Sequence, residues 1–142
     1  MGMKHSHKLS DAMHILIYLE LIGDKCGKSS KQIADSVSTN AGVVRRIMAQ
    51  LKDANIIETK AGVAEPRLAR NPDAITLLDV YRAVEPGVLL QIDRSTNERC
   101  PVGANVQSIL ESTYQSIQQV TESAMSRITL SELIGEVQQK LR

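Results

Sequence analysis

Tryptophan and phenylalanine are absent from the 142 residues, and tyrosine occurs only as Tyr18, Tyr81 and Tyr114. A core must therefore be built from Leu, Ile, Val, Ala and Met. The aromatic platforms on which single-stranded nucleic acids stack are poorly supplied. Cysteine is as scarce. Cys26 and Cys100 stand far apart with no CxxC, the usage expected of a reducing cytoplasm. No apolar run reaches the ~20 residues needed to span a bilayer. No secretory signal is evident either, because Asp11 interrupts the apolar run of "MGMKHSHKLSDAMHIL". No Ser-His-Asp ordering, glycine-rich phosphate loop or paired-carboxylate motif stands out, so the reading is not an enzyme.

What remains is an ordinary globular composition, 42% hydrophobic and 23% charged. The length suffices for one domain with a real core and an added dimerising element. Net charge is +1, but it is unevenly spread. Between residues 28 and 60 six bases (Lys28, Lys31, Arg45, Arg46, Lys52, Lys60) face three acids (Asp35, Asp53, Glu58).

Residues 8–23, "KLSDAMHILIYLELIG", read as a helix apolar on nearly every side and ended by Gly23. "GDKCGK" reads as a turn. Ser29 or Ser30 then caps a short helix, "SKQIADSV", with Ile33, Ala34 and Val37 inward. "STN" breaks it and starts a helix over roughly 40–53. "IIETK" (56–60) and "RLAR" (67–70) read as strands around a turn, and Pro72 and Pro86–Gly87 bracket a helix near 76–84. Three short helices followed by a hairpin outline a winged helix-turn-helix. Residues 88–103 are the least regular. From 104 to 127 there is no Pro or Gly, and Val106, Ile109, Leu110, Ile117, Val120 and Ala124 make a narrow apolar stripe suited to another helix. "TLSELIGEVQQKLR" is a last amphipathic helix. The expected class is mainly α with a small β-hairpin. Its domains are a DNA-binding winged helix over 1–86, a linker over 87–103, and a dimerisation helix with a C-terminal helix over 104–142.

The segment "SVSTNAGVVRRIMAQL" (36–51) suits the helix that enters a major groove tip first. Ser38, Thr39 and Asn40 carry groups for phosphates or base edges, and Ala41 and Gly42 leave room. Glycine early in a helix costs about 1 kcal/mol, which close approach explains better than propensity. The plainer alternative is an N-cap on a surface helix. Adjacent Arg45 and Arg46 lie ~100° apart around a helix. Arg45 is assigned to base edges and Arg46 to a flanking phosphate, the alternative being a solvated face. Ser30 and Lys31 are candidate phosphate contacts, and Lys60 and Arg67 flank the wing turn.

Cys100 in "ERCPVGANVQSIL" sits beside Arg99 and ahead of a long helix, two influences that favour thiolate. It is a candidate redox sensor; the alternative is a half-buried thiol without a role. Cys26 reads as incidental, His5 and His7 as tail residues, and His14 as a packed core residue. No metal site is expected.

"HKLSDAMHILIYL", "KSSKQIADSVSTNAGVVRRIMAQLKDANII", "RLARNPDAITLLDVYRAVE" and "CPVGANVQSIL" together resemble the Rrf2 family of bacterial transcription regulators, in order and over nearly the whole chain. The resemblance implies a winged-helix homodimer, joined by the helix near 104–126, on a partly palindromic promoter site in double-stranded DNA, commonly as a repressor. It aligns Ser30 and Lys31 with the supporting helix, Asn40 to Arg46 with the recognition tip, and 60–67 with the wing. Many members hold an iron–sulfur cluster with three cysteines before the dimer helix. Here only Cys100 lies in that segment, and one thiolate cannot hold a cluster, so none is expected. The chain looks closer to a cluster-free branch in which a single cysteine senses oxidants. The wing departs too: "GVAEPRLAR" has Glu65 and Pro66 where the family often has glycines and an aromatic, and a carboxylate there is unfavourable near phosphate. A helical interaction module that has lost DNA binding is the competing expectation.

Overall fold

Helix α1 (Lys8–Leu21) carries its apolar residues at helical spacing, and it buries Ala12, Met13, Ile15, Leu16, Tyr18 and Leu19. The computed structural model describes residues 6–59 and 65–142. Around α1 pack α3 (Ser30–Val37), α4 (Ala41–Asp53) and α5 (Leu77–Val84). Their contributions to one core are Ile33 and Ala34, then Val44, Ile47 and Leu51, then Val80 and Val84. Each large aliphatic side chain removed from water contributes about 1.5–3 kcal/mol.

The "GDKCGK" segment is not a plain turn: Gly23–Cys26 form a four-residue helix, α2. Gly27 ends it at φ 93°, a left-handed angle that favours glycine. Its carbonyl accepts the Tyr18 hydroxyl at 2.7 Å. Burial, with Cys26 and Asp35 adding to it, pushes the Tyr18 hydroxyl above its ordinary range, so it remains a neutral donor. His14 is exposed rather than packed in the core, with Nε2 3.0 Å from Ser36 Oγ. Ile22 is exposed, and Val37 is half-buried at the core's edge.

Ser29, not Ser30, caps α3. Its hydroxyl accepts from the Gln32 amide while the Gln32 side chain returns to Ser29 N. Helix α4 ends with Asn55 at φ 59°, while Ile56 N reaches Leu51 O at 2.9 Å and Asn55 N reaches Lys52 O at 2.9 Å. This paired closure turns the chain directly into the hairpin. Strands β1 (Ile57–Glu58) and β2 (Arg67–Leu68) are antiparallel, with Ile57 opposite Leu68 and Glu58 opposite Arg67.

A 3-10 turn (Pro72–Ala74) leads to α5, whose start is fixed by a reciprocal Thr76–Asp79 capping box. Here the C-terminus joins in. Leu130 N donates to Ile75 O and Leu77 N to Ile128 O, both at 2.8 Å. Helix α7 (Leu130–Lys140) buries Leu130 and Ile134 in the same core. The structure therefore groups Ser126–Arg142 with the residues up to Pro86, whereas the sequence pattern grouped 104–142. The reason is physical: Leu130 and Ile134 are buried among the apolar side chains of that core.

The second unit is Gly87–Met125. Helix α6 (Pro101–Ser126) dominates it and buries no residue. It begins at Pro101 rather than near 104, which places Cys100 directly at its N-terminal end. The irregular segment before it lies along the helix. Leu89 N donates to Gln118 Oε1 at 3.1 Å, Gln107 Nε2 to Asp93 O at 3.0 Å, and Thr96 Oγ1 to Gly103 O at 2.7 Å. Partner numbers fall as segment numbers rise, so the segment runs antiparallel to α6.

Candidate nucleic-acid interface

Helices α3 and α4 pack together through a tight turn. Ser38 adopts φ 62°, and Asn40 Oδ1 accepts the Val43 amide at 2.9 Å as the N-cap of α4. Asn40 thus spends its carbonyl oxygen inside the protein and keeps its amide NH2 for an outside acceptor. Ser38 and Asn40 are exposed and Thr39 is half-buried beside them.

The core side of α4 is Val44, Ile47 and Leu51. At about 100° per residue, the line facing away from it carries Gly42 and Ala49, with Arg45 and Arg46 roughly 50° to either side. Ala41 and Gly42 are half-buried and Arg45, Arg46 and Ala49 exposed. The outermost ridge of this helix is therefore nearly bare backbone between two guanidinium groups. Among the described residues, neither arginine, nor Lys31, meets a carboxylate at ion-pair distance. Ala49 escaped the sequence reading. Its signal was available in its position seven residues, about two helical turns, beyond Gly42. Ser30 and Lys31 form the first turn of α3, where backbone N–H groups are free of intrahelical partners and favour anions.

The wing is organised differently from expectation. Arg67 Nε lies 2.6 Å from Glu58 Oε1, so its charge is directed across the hairpin at a carboxylate. Glu65 is exposed and Pro66 buried beside it. Lys60, assigned to the wing, lies outside the described residues.

On α6, Val106 and Leu110 are half-buried, Ala124 is exposed, and Ile109, Ile117 and Val120 are 63%, 44% and 71% exposed. Thr113, Ser116 and Thr121 turn their hydroxyls back onto the carbonyls one turn earlier. Cys100 is a free, exposed thiol. Hydrogen bonds from the backbone of Gly103, then of Val102, hold it below the ordinary cysteine range, against a smaller effect of desolvation.

A family model described as Rrf2, iron-dependent transcriptional regulators, matches residues 5–136. Iron in a cluster or a mononuclear site requires several donors converging at one place. Among the described residues no three His, Cys, Asp or Glu side chains gather to hold a metal.

YwnA of Bacillus subtilis (strain 168), whose name places it among HTH-type transcriptional regulators, is 38% identical over 131 residues, spanning 92% of this chain and 96% of its own. A crystal structure described as that of a DNA-binding protein is 36% identical with a TM-score of 0.72, over 89% of this chain and 98% of the other. CymR, the global cysteine regulator of B. subtilis, shares the fold at 18% identity and a TM-score of 0.66, over 95% and 98%. Among the described residues no helix is long and apolar enough to cross a membrane. The winged helix-turn-helix, the family model over nearly the whole chain and the well-covered relative agree: this chain belongs to the Rrf2 family of transcriptional regulators, whose members act by binding DNA.

Proposed function

We propose that the protein works as a cytoplasmic homodimer that represses transcription from a partly palindromic promoter site. Helix α4 reads each half-site. The observation that carries this is the small-residue ridge of Gly42 and Ala49 between unpaired Arg45 and Arg46. The ridge lets backbone approach base edges, and the arginines meet bases and phosphates on either side. Ser38, Thr39, Asn40 and Ala41 serve the tip, and Ser30 and Lys31 anchor a phosphate at the start of α3. The stripe Val106, Ile109, Leu110, Ile117, Val120 and Ala124 joins two copies, because an apolar stripe left in water on a 26-residue helix is the pattern of a helix–helix seam.

The protein works without a resident iron–sulfur cluster, and Cys100 modulates it instead. Its thiolate sulfur attacks a peroxide oxygen and hydroxide leaves. The sulfur is oxidised to sulfenic acid as the peroxide is reduced.

The test is a gel-shift titration on the DNA upstream of the protein's own gene. Arg45→Ala with Arg46→Ala abolishes specific retardation and leaves thermal unfolding unchanged. Retained binding by that variant refutes the assignment of α4. Ile109→Glu with Val120→Glu yields a monomer in sedimentation that loses cooperative site binding.

A further inference from the structure

The second unit contains an open cavity of about 550 Å³ whose walls come entirely from Gly87–Met125. That volume falls within the ~300–1,000 Å³ common for small-molecule sites. Its two walls differ in chemistry for a structural reason. The extended segment is fastened to α6 at Leu89 and Asp93 through backbone hydrogen bonds to Gln118 and Gln107. Val88, Leu90 and Ile92 line one wall as an apolar strip, with Gln91 adding a polar group to the same wall. Tyr114, Gln115 and Gln119 line the other from α6, Gln115 and Gln119 one turn apart and Tyr114 beside them. Among the described residues these three side chains make no hydrogen bond, so their donors and acceptors are open to an occupant.

Arg94 and Glu111 also line the cavity. Their nearest approach is 4.0 Å, with side chains 75% and 47% exposed. That is the outer limit of an ion pair and beyond hydrogen bonding, so the guanidinium's N–H donors are not bonded to Glu111.

We propose that this cavity is a binding site for a small organic carboxylate with an apolar body. The body lies on Val88, Leu90 and Ile92, and the carboxylate takes the Arg94 fork. The Tyr114 hydroxyl and the glutamine amides accommodate polar substituents. Glu111 sets the sign of selectivity, since its carboxylate opposes an anion and Arg94 outweighs it only when the ligand's charge sits directly on the fork.

Isothermal titration of the full chain tests this, using octanoate and, for comparison, octan-1-ol. The expected result is one saturable octanoate site per chain that is tighter than octan-1-ol. Arg94→Gln weakens octanoate about tenfold, a charge-assisted contact of ~1.4 kcal/mol, and leaves octan-1-ol unchanged. Glu111→Gln tightens octanoate, a change of opposite sign that general damage to the fold would not produce. Leu90→Ser weakens both. No saturable binding by the native protein, or equal octanoate binding by Arg94→Gln, overturns the proposal. So does binding confined to dissociated monomer, because a second copy then fills the cavity. These titrations contain no DNA, so their outcome is separate from that of the reading of α4.

Discussion

Glu58 and Arg67 face each other across the hairpin register and join at 2.6 Å from Oε1 to Nε. The wing arginine is thereby tied to a carboxylate on its own sheet. Both side chains are about half exposed, 52% and 44%, so the pair contributes only ~0–1 kcal/mol to stability. Its larger effect is on charge available to DNA. Glu58→Gln frees Arg67 for a phosphate and steepens the slope of log affinity against log salt by about 0.9. Arg67→Ala in the native background changes that slope little. If Arg67→Ala alone flattens the slope by as much, the arginine leaves Glu58 on binding.

Substitution at Gly42 distinguishes an effect on folding from one on the proposed DNA contact. Alanine is favoured over glycine in a helix by about 1 kcal/mol. A Cβ at Gly42 would have one close neighbour, Asn40 Oδ1 at 3.2 Å, which crowds the N-cap slightly. Gly42→Ala therefore leaves thermal stability unchanged or raises it by up to about 1 kcal/mol. If α4 reads DNA as proposed, the added methyl stands on the ridge that approaches the bases. Overpacking there costs ~1–3 kcal/mol, about five- to 150-fold in affinity. A variant that is more stable yet binds normally would remove close approach as the reason for this glycine.

The reactivity of Cys100 depends on backbone geometry at the start of α6. Amide hydrogen bonds from Gly103 and Val102 favour the thiolate, so its pKa lies below the ordinary range. The sign follows directly: alkylation by iodoacetamide sets in at lower pH than for an unstructured cysteine peptide. Gly103 is the sensitive neighbour, because a Cβ there would fall on the Asn97 carbonyl oxygen, a backbone atom that cannot simply swing aside. Asn97 O also accepts the Cys100 amide. Gly103→Ala therefore displaces the Asn97–Cys100 turn and moves the alkylation profile to higher pH. Mass spectrometry of Cys100 across a pH series reads both profiles, and superimposable curves for the two proteins would contradict this account.

Much of the winged helix was legible because its signals are local. Helical spacing located α1 and α4, Pro72 and Pro86 bracketed α5, and polar residues at 38–40 marked the turn between α3 and α4. Long-range pairings were not legible. That Arg67 turns to Glu58 depends on strand register, which neither strand encodes alone. That residues 88–96 lie along α6 depends on Gln107 and Gln118, which resemble any other polar residues on a solvated helix. His14 sits in an apolar run yet faces out, because α1 is covered on most of its sides but not on that one. The apolar stripe of α6 was readable as a pattern, since its spacing is a property of the sequence itself.

The C-terminal helix supplies the last prediction. Leu130 is fully buried among core residues from α1 and its neighbours, and its amide is bonded to Ile75 O. The far end of the same helix is free, with Leu141 71% exposed. Amphipathic spacing gives both residues the same face in sequence, but only Leu130 has a core to enter. Leu130→Ala therefore costs ~2–5 kcal/mol through lost contacts and a residual cavity, a large share of the ~5–15 kcal/mol that holds a domain. Leu141→Ala stays within about 0.5 kcal/mol. Urea unfolding of both variants, followed by circular dichroism, measures the difference. If α7 served only the long helix before it, Leu130→Ala would leave the DNA-binding unit's transition in place. The packing requires that transition to move.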